Sequence, residues 1–207
     1  ITLSSLFLER EVTLSLFVPK QQQQPWSLLL LNDGQDVESL RIEKSLQKLL
    51  QAKAIEPLLV VGIHAGNRLQ EYGVTGVPDY KQRGSRAGAY TDFVTRELLP
   101  WLQAHYPVSR LPEQVAIAGC SLGGLSALDL AWHHPQHFGW VGVLSGAFWW
   151  RTKALDAGYT DADRIARGLP PLNEDGNLSE EEEKARREAE GIKTVVPPRP
   201  ASKKKKN

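Results

Sequence analysis

The 207-residue chain contains no methionine and a single cysteine, Cys120. One cysteine excludes an intramolecular disulfide and every metal site built from several thiolates. Because methionine is missing even at position 1, we expect that the first residue is not the natural start. No apolar run approaches the roughly 20 residues of a membrane span, and residues 1–10 lack the basic and apolar regions of a signal peptide. These absences predict a cytoplasmic protein without membrane partners.

An excess of charge of one sign is also missing. The chain has 25 Lys and Arg against 24 Asp and Glu, so its formal net charge is +1. Without a broad basic field, we expect no nucleic-acid partner. The four lysines at 203–206 could contact RNA, DNA or anionic lipid, but a lysine run without aromatic residues is more typical of a solubilising end.

Composition changes sharply near residue 151. All six Trp and all five Phe lie before it, whereas 24 of the last 57 residues are charged. Such a segment has too little apolar surface to offset its chain entropy. We therefore predict a packed domain over 1–165 and a polar, weakly ordered tail over 166–207, with a solvated helix near 179–190 and a basic terminus.

Within the packed part, strand-like and helix-like patterns alternate. Residues 11–18 alternate polar and apolar, with Val18 as the last inward-facing position. Short continuous apolar runs follow and predict strands buried on both faces; they cover 27–32, 57–63, 114–119 and 140–146. Helical patterns separate them, including one over 94–102. This order predicts an α/β fold with a mostly parallel sheet and helices on both faces.

The strongest chemical signal is Gly119-Cys120-Ser121-Leu122-Gly123. A bare G-x-S-x-G match is weak, but this one follows a buried strand and precedes a helix, as a nucleophile elbow requires. Such a turn exposes the Ser121 hydroxyl and directs the Leu122 N–H toward a developing oxyanion. The alternative is an ordinary strand-to-helix turn with Ser121 as a helix cap.

Four segments carry a family resemblance: 28–36, 60–73, 95–108 and 116–150. They resemble the enterochelin-esterase-like and esterase D-like “putative esterase” branch of the α/β-hydrolase fold. The resemblance implies a three-layer α/β sandwich and a serine esterase, thioesterase or acyltransferase. It also implies a small-molecule ester or thioester substrate and no cofactor or metal.

The resemblance assigns roles to individual residues. It makes Ser121 the nucleophile and the backbone N–H groups of Leu122 and Gln35 the oxyanion donors. It places five further residues beside the substrate, namely Gly34, Arg68, Glu71, Tyr72 and Trp149.

The family pattern then breaks off. After Trp150 there is no buried-strand pattern and no histidine, so the last two strands and the acid and base of the triad are missing. We therefore expect a C-terminally truncated fold whose sixth strand forms an exposed edge open to self-association. Three aspartates, at 156, 161 and 163, could supply a displaced acid, but they are more typical of a solvated helix.

Histidines are the natural base for Ser121, and five are present. His133, His134 and His137 lie at the far end of the following helix, the nearest about 18 Å from Ser121. His105 belongs to the opposite edge of the sheet. His64 alone follows a strand on the correct edge, about 10 Å across the sheet, and is either a surrogate base or a structural residue.

Two functions thus remain open. The first is a serine carboxylic-ester or thioester hydrolase acting through an acyl-enzyme on Ser121. The second is a catalytically impaired esterase fold that acts as a binding or scaffold domain. We expect Cys120 to be a small buried residue rather than a redox handle, and the histidines of 133–137 to be solvated rather than metal-bound.

Overall fold

A computed structural model describes residues 1–20 and 25–150, and six strands in this part form one sheet. In chain order they are β1 (Thr2–Ser5), β2 (Arg10–Phe17), β3 (Ser27–Asn32), β4 (Leu58–Ile63), β5 (Val115–Cys120) and β6 (Trp140–Leu144). Their spatial order is β1-β2-β4-β3-β5-β6. The last four are parallel, and β2 is antiparallel to its neighbours β1 and β4. The predicted mostly parallel α/β sheet is therefore confirmed.

Helices occupy the connections between the strands. They are α1 (Ile42–Gln51), α2 (Arg68–Glu71), α3 (Ala87–Asp92), α4 (Leu99–His105) and α5 (Leu122–His133), with 3-10 helices at Gly34–Asp36 and Pro112–Gln114. A π-helical segment, Phe93–Leu98, joins α3 to α4, so the helix predicted over 94–102 is longer than expected. Pro100 explains the wider turn, because proline has no backbone N–H to donate to a carbonyl of the preceding turn. The Leu99 N–H donates to the Val94 carbonyl, five residues earlier, which is the π-helical pattern.

The core is centred on β3, β4 and β5. Their side chains pack with those of α5 and of the α3–α4 region, and Leu30, Val61 and Ile117 are fully buried. Burial on both faces is what the continuous apolar runs predict for these three strands. The described residues belong to one compact unit, and none of their helices is long and apolar enough to cross a membrane.

Two details of the predicted pattern are wrong. No sequence pattern predicted β1, which pairs with β2 at one end of the sheet. Val18 lies beyond the end of β2 and is exposed rather than inward-facing. β6 is largely exposed, with Trp140 at 67% and Leu144 at 60%. This agrees with the expected exposed edge, and not with the burial on both faces that its apolar run alone indicates, because no further strand flanks it among residues 1–20 and 25–150.

The predictions for the tail fall outside the described residues. This holds for the boundary at 165, the solvated helix, the basic terminus, the missing strands and the three aspartates at 156, 161 and 163.

Candidate active site

Ser121 lies at the turn between β5 and α5, at the carboxyl edge of the parallel strands. Its φ of 53° and ψ of −120° are strained for a residue with a side chain. The neighbouring segment holds this conformation. The Ser121 N–H donates to the Leu144 carbonyl over 2.9 Å, and the Ser121 carbonyl accepts from the Ala147 N–H over 3.0 Å. The turn therefore has the strand-turn-helix context that the sequence predicts.

Two glycines make this turn possible. A Cβ added to Gly119 would collide with the carbonyl oxygen of Gly123. A Cβ on Gly123 would lie 2.7 Å from Oδ2 of Asp33 and 3.2 Å from Cβ of Asn32. The spacing of glycines around Ser121 thus follows from the close approach of β5, α5 and the end of β3.

The serine hydroxyl and two backbone donors remain available for a ligand. Ser121 is exposed, and its hydroxyl has no hydrogen bond within the part of the chain that the structure describes. The N–H groups of Leu122 and Gln35 also donate to no described residue. Leu122 begins α5, and Gln35 lies just beyond β3, the neighbour of β5. Unpaired donors on adjacent strand ends can stabilise an oxyanion.

Arg68 bridges the two strand ends. Its Nε and terminal nitrogen donate to the Asp33 carboxylate over 2.8 and 3.2 Å, and the same terminal nitrogen donates to the Cys120 carbonyl over 3.2 Å. Burial alone would lower the pKa of Arg68, but the hydrogen bond and charge of Asp33 outweigh it and raise the pKa, so the guanidinium stays charged. About a third of the Arg68 side chain is exposed, which leaves it within reach of a substrate.

Glu71 and Tyr72 are buried and bonded to neighbouring loops, and their place beside the substrate stays a prediction. The Glu71 carboxylate pairs with Arg10 at 2.7 Å and also accepts from the Gly66 and Asn67 N–H groups. Burial alone would raise its pKa, but Arg10 and the backbone donors lower it. The Tyr72 hydroxyl accepts the Asp33 N–H at 2.9 Å. Glu71 thus fixes the loop after β4, and Tyr72 fixes the loop after β3.

Gly34 and Trp149 occupy different surroundings. Gly34 is buried against β4, where an added Cβ would lie 2.5 Å from the Gly62 carbonyl oxygen, so its part is to bring the Gln35 loop close to the sheet. Trp149 is 41% exposed and lies with the Arg83 guanidinium 5.0 Å above its ring. The Ala147 bond to Ser121 anchors its loop, which keeps Trp149 a candidate for the border of the site.

His64 is turned away from Ser121, so its prediction as a surrogate base is not supported. Its Nε2 lies 2.9 Å from the Ser15 hydroxyl on β2, which flanks β4 on the side away from β5. Burial and the nearby positive N-terminus lower the pKa of His64 and favour the neutral ring. His64 is therefore a structural link between β2 and β4.

The other histidines also bond elsewhere. His105 bonds the Trp101 carbonyl at 2.8 Å and stacks on that indole, and His133 bonds the Asp129 carbonyl at 2.9 Å. His134 and His137 follow the end of α5. Within the described residues no hydrogen bond joins a histidine to Ser121.

Cys120 is exposed at the end of β5, contrary to the expected burial. No cluster of three metal-ligating side chains occurs over 1–20 and 25–150. A cavity of about 490 Å³ lies between β2 and α1, lined by residues such as Leu16, Leu46 and Leu50. It includes none of the predicted site residues.

Sequence reasoning missed a buried pair beside the elbow, Asn32 and Tyr90. The Asn32 amide donates to the Gly123 carbonyl over 2.8 Å and accepts from the Tyr90 hydroxyl over 2.5 Å. One signal could have found Asn32, namely a polar residue that ends the otherwise apolar run 28–32. No local signal marks Tyr90.

Comparisons with known proteins agree with the family resemblance. A family model described as “Putative esterase” matches residues 5–189. The uncharacterized protein YbbA of Bacillus subtilis is 28% identical over 128 residues, which cover 60% of this chain and 51% of YbbA. The iron(III) enterobactin esterase of Escherichia coli O6:H1 is 32% identical over 133 residues, which cover 62% of this chain and 30% of that protein. The chain thus spans about half or less of these relatives.

Solved structures give the same result for the fold. The enterobactin esterase of Shigella flexneri, crystallised in the presence of enterobactin, matches with a TM-score of 0.62 and 28% identity. The match covers 72% of this chain and 37% of that one. The expected α/β-hydrolase-type fold is confirmed.

Proposed function

Because the chain belongs to the “Putative esterase” family, we propose that it is a serine hydrolase of carboxylic esters or thioesters that acts through an acyl-enzyme on Ser121. One observation carries the proposal. An exposed serine on a strained turn is followed directly by the Leu122 N–H, and the neighbouring strand β3 leads to the Gln35 N–H; neither N–H has a described partner. Backbone strain of this kind occurs at sites where the reaction requires a residue to be held in a fixed geometry.

The reaction has two halves. A base takes the Ser121 proton while Oγ attacks the substrate carbonyl, and the Leu122 and Gln35 N–H groups stabilise the oxyanion. The carbonyl re-forms as the alcohol or thiol leaves with a proton, and Ser121 stays acylated. Water then attacks the acyl-enzyme by the same route and releases the acid. Another acceptor in place of water would make the reaction an acyl transfer.

The base comes from outside the described residues. All five histidines lie in the described part and none bonds Ser121, while residues 151–207 contain no histidine. A group outside the described residues, for example one on a second chain, supplies the base that the proposal needs. A serine without a base retains only the rate that the oxyanion donors and substrate binding supply.

The substrate is a small-molecule ester. Enterobactin esterases are among the relatives and the structural neighbours, and one neighbour was crystallised in the presence of 2,3-dihydroxy-N-benzoyl-glycine, which supports an ester that carries an aromatic ring. Trp149, beside the loop that bonds Ser121, offers a flat surface for such a group. Arg68, one face of which is exposed, would contact polar atoms of the substrate.

A second function is favoured by the lack of a histidine at Ser121. In this alternative the domain binds acyl compounds or another protein but does not turn over. It predicts background hydrolysis that no substitution of Ser121 changes.

Trapping the acyl-enzyme separates the two functions. The chain is mixed with an activated aryl ester, quenched in acid and analysed by intact mass and peptide mapping. We expect a burst and an acyl group on Ser121 that Ser121→Ala abolishes. Ser145→Ala is the matched control, because Ser145 is also exposed and also has a positive φ of 48°. Acylation that survives Ser121→Ala, or no acylation of the folded chain, would favour the alternative.

A further inference from the structure

We infer that Asn32 and Tyr90 are positioning residues that hold the two halves of the oxyanion site in register. The inference rests on the proposed function, because it assigns the Leu122 and Gln35 N–H groups to one anion. These donors belong to different elements, α5 and the loop after β3. A fixed distance between them therefore needs a direct link between those elements.

The Asn32 side chain makes that link. Asn32 ends β3, three residues before Gln35, and its amide donates to the carbonyl of Gly123, the residue after Leu122. The bond of 2.8 Å thus joins the backbone segments that carry the two donors. Asn32 is 6% exposed, so water does not compete for this bond.

Tyr90 fixes the orientation of the amide. A backbone carbonyl only accepts, so the Asn32 group facing Gly123 is the NH₂, and the amide oxygen must face the Tyr90 hydroxyl. Tyr90 is fully buried, which raises the pKa of its phenol and keeps the donating proton in place. Its ring packs edge-on against Tyr72, whose hydroxyl accepts the Asp33 N–H in the same loop.

This link is distinct from the Arg68 bridge. Arg68 is partly exposed and joins Asp33 to the Cys120 carbonyl on the other side of Ser121. The Asn32–Tyr90 pair is buried and cannot contact a substrate. Its loss should therefore lower the rate of the chemical step without changing substrate affinity.

The test is the kinetics of Ser121 phosphonylation by an alkyl fluorophosphonate in the wild type, Tyr90→Phe and Asn32→Leu. We expect each variant to lower the maximal rate about 10- to 100-fold, with the concentration for half-maximal rate unchanged. Tyr106→Phe is the matched control, because its hydroxyl bonds no described residue and it lies beyond α4. Equal maximal rates in Tyr90→Phe and wild type would overturn the inference, as would a change in affinity alone.

An Asn32→Asp variant adds a pH signature. The carboxylate would repel the Gly123 carbonyl, whereas the protonated acid can donate to it and still accept from Tyr90. We expect the rate of this variant relative to wild type to rise as the pH falls. A constant ratio would contradict the assigned hydrogen bonds.

Amide NMR keeps the inference testable if Ser121 proves unreactive, a result that would count against the proposed function alone. Tyr90→Phe should shift the Leu122, Gly123 and Gln35 amide signals and speed solvent exchange of the Asn32 side-chain amide. Tyr106→Phe should leave all of them in place. Unchanged signals in Tyr90→Phe would overturn the inference without reference to activity.

Discussion

The carboxyl edge around Ser121 and the edge strand β6 lie side by side but are built in opposite ways. Around Ser121, polar groups are paired, as in the buried Asn32 amide and the ion pair between the partly exposed Arg68 and the buried Asp33. β6 and the loop after it expose large apolar side chains to solvent; these are Trp140, Val141, Leu144, Phe148 and Trp149.

The proposed reaction has two requirements, an oxyanion site and a base, and the two regions differ in what they supply. The proposed oxyanion site draws on β3, β5, α2 and the start of α5, all within the described residues. The base is not found there, and neither is any cover for the outer side of β6. Under the proposed function, the described residues therefore supply the oxyanion donors but not the base.

Gly119→Ala should have the largest effect, because it attacks the turn itself. The new Cβ would collide with the Gly123 carbonyl, and we expect a loss of about 1–3 kcal/mol of unfolding free energy together with loss of Ser121 phosphonylation. Gly88→Ala is the control, since its Cβ would meet only Thr75 at 3.8 Å within a helix. It should be neutral or stabilising by up to about 1 kcal/mol. Equal melting temperatures for both variants would contradict this account.

Arg68→Lys should have an intermediate effect. Lysine cannot reproduce the two-pronged contact with Asp33 while also reaching the Cys120 carbonyl, so we expect about a tenfold slower phosphonylation of Ser121. Arg96→Lys alters an exposed pair with Asp92 and should change nothing measurable. A wild-type rate in Arg68→Lys would show that Asn32 and Tyr72 hold the loop alone.

The exposed edge of β6 should cause the chain to associate with itself. An exposed apolar edge strand favours pairing with another chain, so we expect dimers that grow with concentration in sedimentation velocity. Val141→Lys should weaken this association, whereas Leu40→Lys, at an exposed leucine far from β6, should not. A wild-type chain that stays monomeric at all concentrations would refute the prediction.

His64→Ala should have the smallest effect. Since His64 faces Ser15, Ser121 phosphonylation should not change. The lowered pKa of His64 means that its contribution to stability is complete above pH 6.5 and is lost as the pH falls through the lower folded value. His64→Ala should therefore flatten slightly the decline in melting temperature below pH 6.5. Abolished phosphonylation would restore His64 as the base.

Local patterns predicted five of the six described strands and the turn at Ser121. β3, β4 and β5 follow from short continuous apolar runs, and Ser121 follows from glycines whose spacing the steric contacts require. The edge of the sheet on which His64 lies was also predicted, because a residue that ends a parallel strand has a known position.

Contacts between residues far apart in the sequence determine the features of the site that were not predicted. Tyr90 lies 58 residues from Asn32 and Arg68 lies 35 residues from Asp33, so no local periodicity links either pair. The direction of the His64 ring depends on Ser15 of β2, a partner that only the strand order reveals. Burial of Glu71 and Tyr72 likewise depends on Arg10 and Asp33, which lie far away in sequence.

Labelling with a fluorophosphonate, mapped by peptide mass spectrometry on protein confirmed as folded by circular dichroism, tests the central claim most directly. The account predicts one adduct, on Ser121, that forms faster in the folded chain than in urea, vanishes in Ser121→Ala and persists in Ser145→Ala and His64→Ala. A folded wild-type chain without an adduct on Ser121, or with labelling elsewhere, would contradict it.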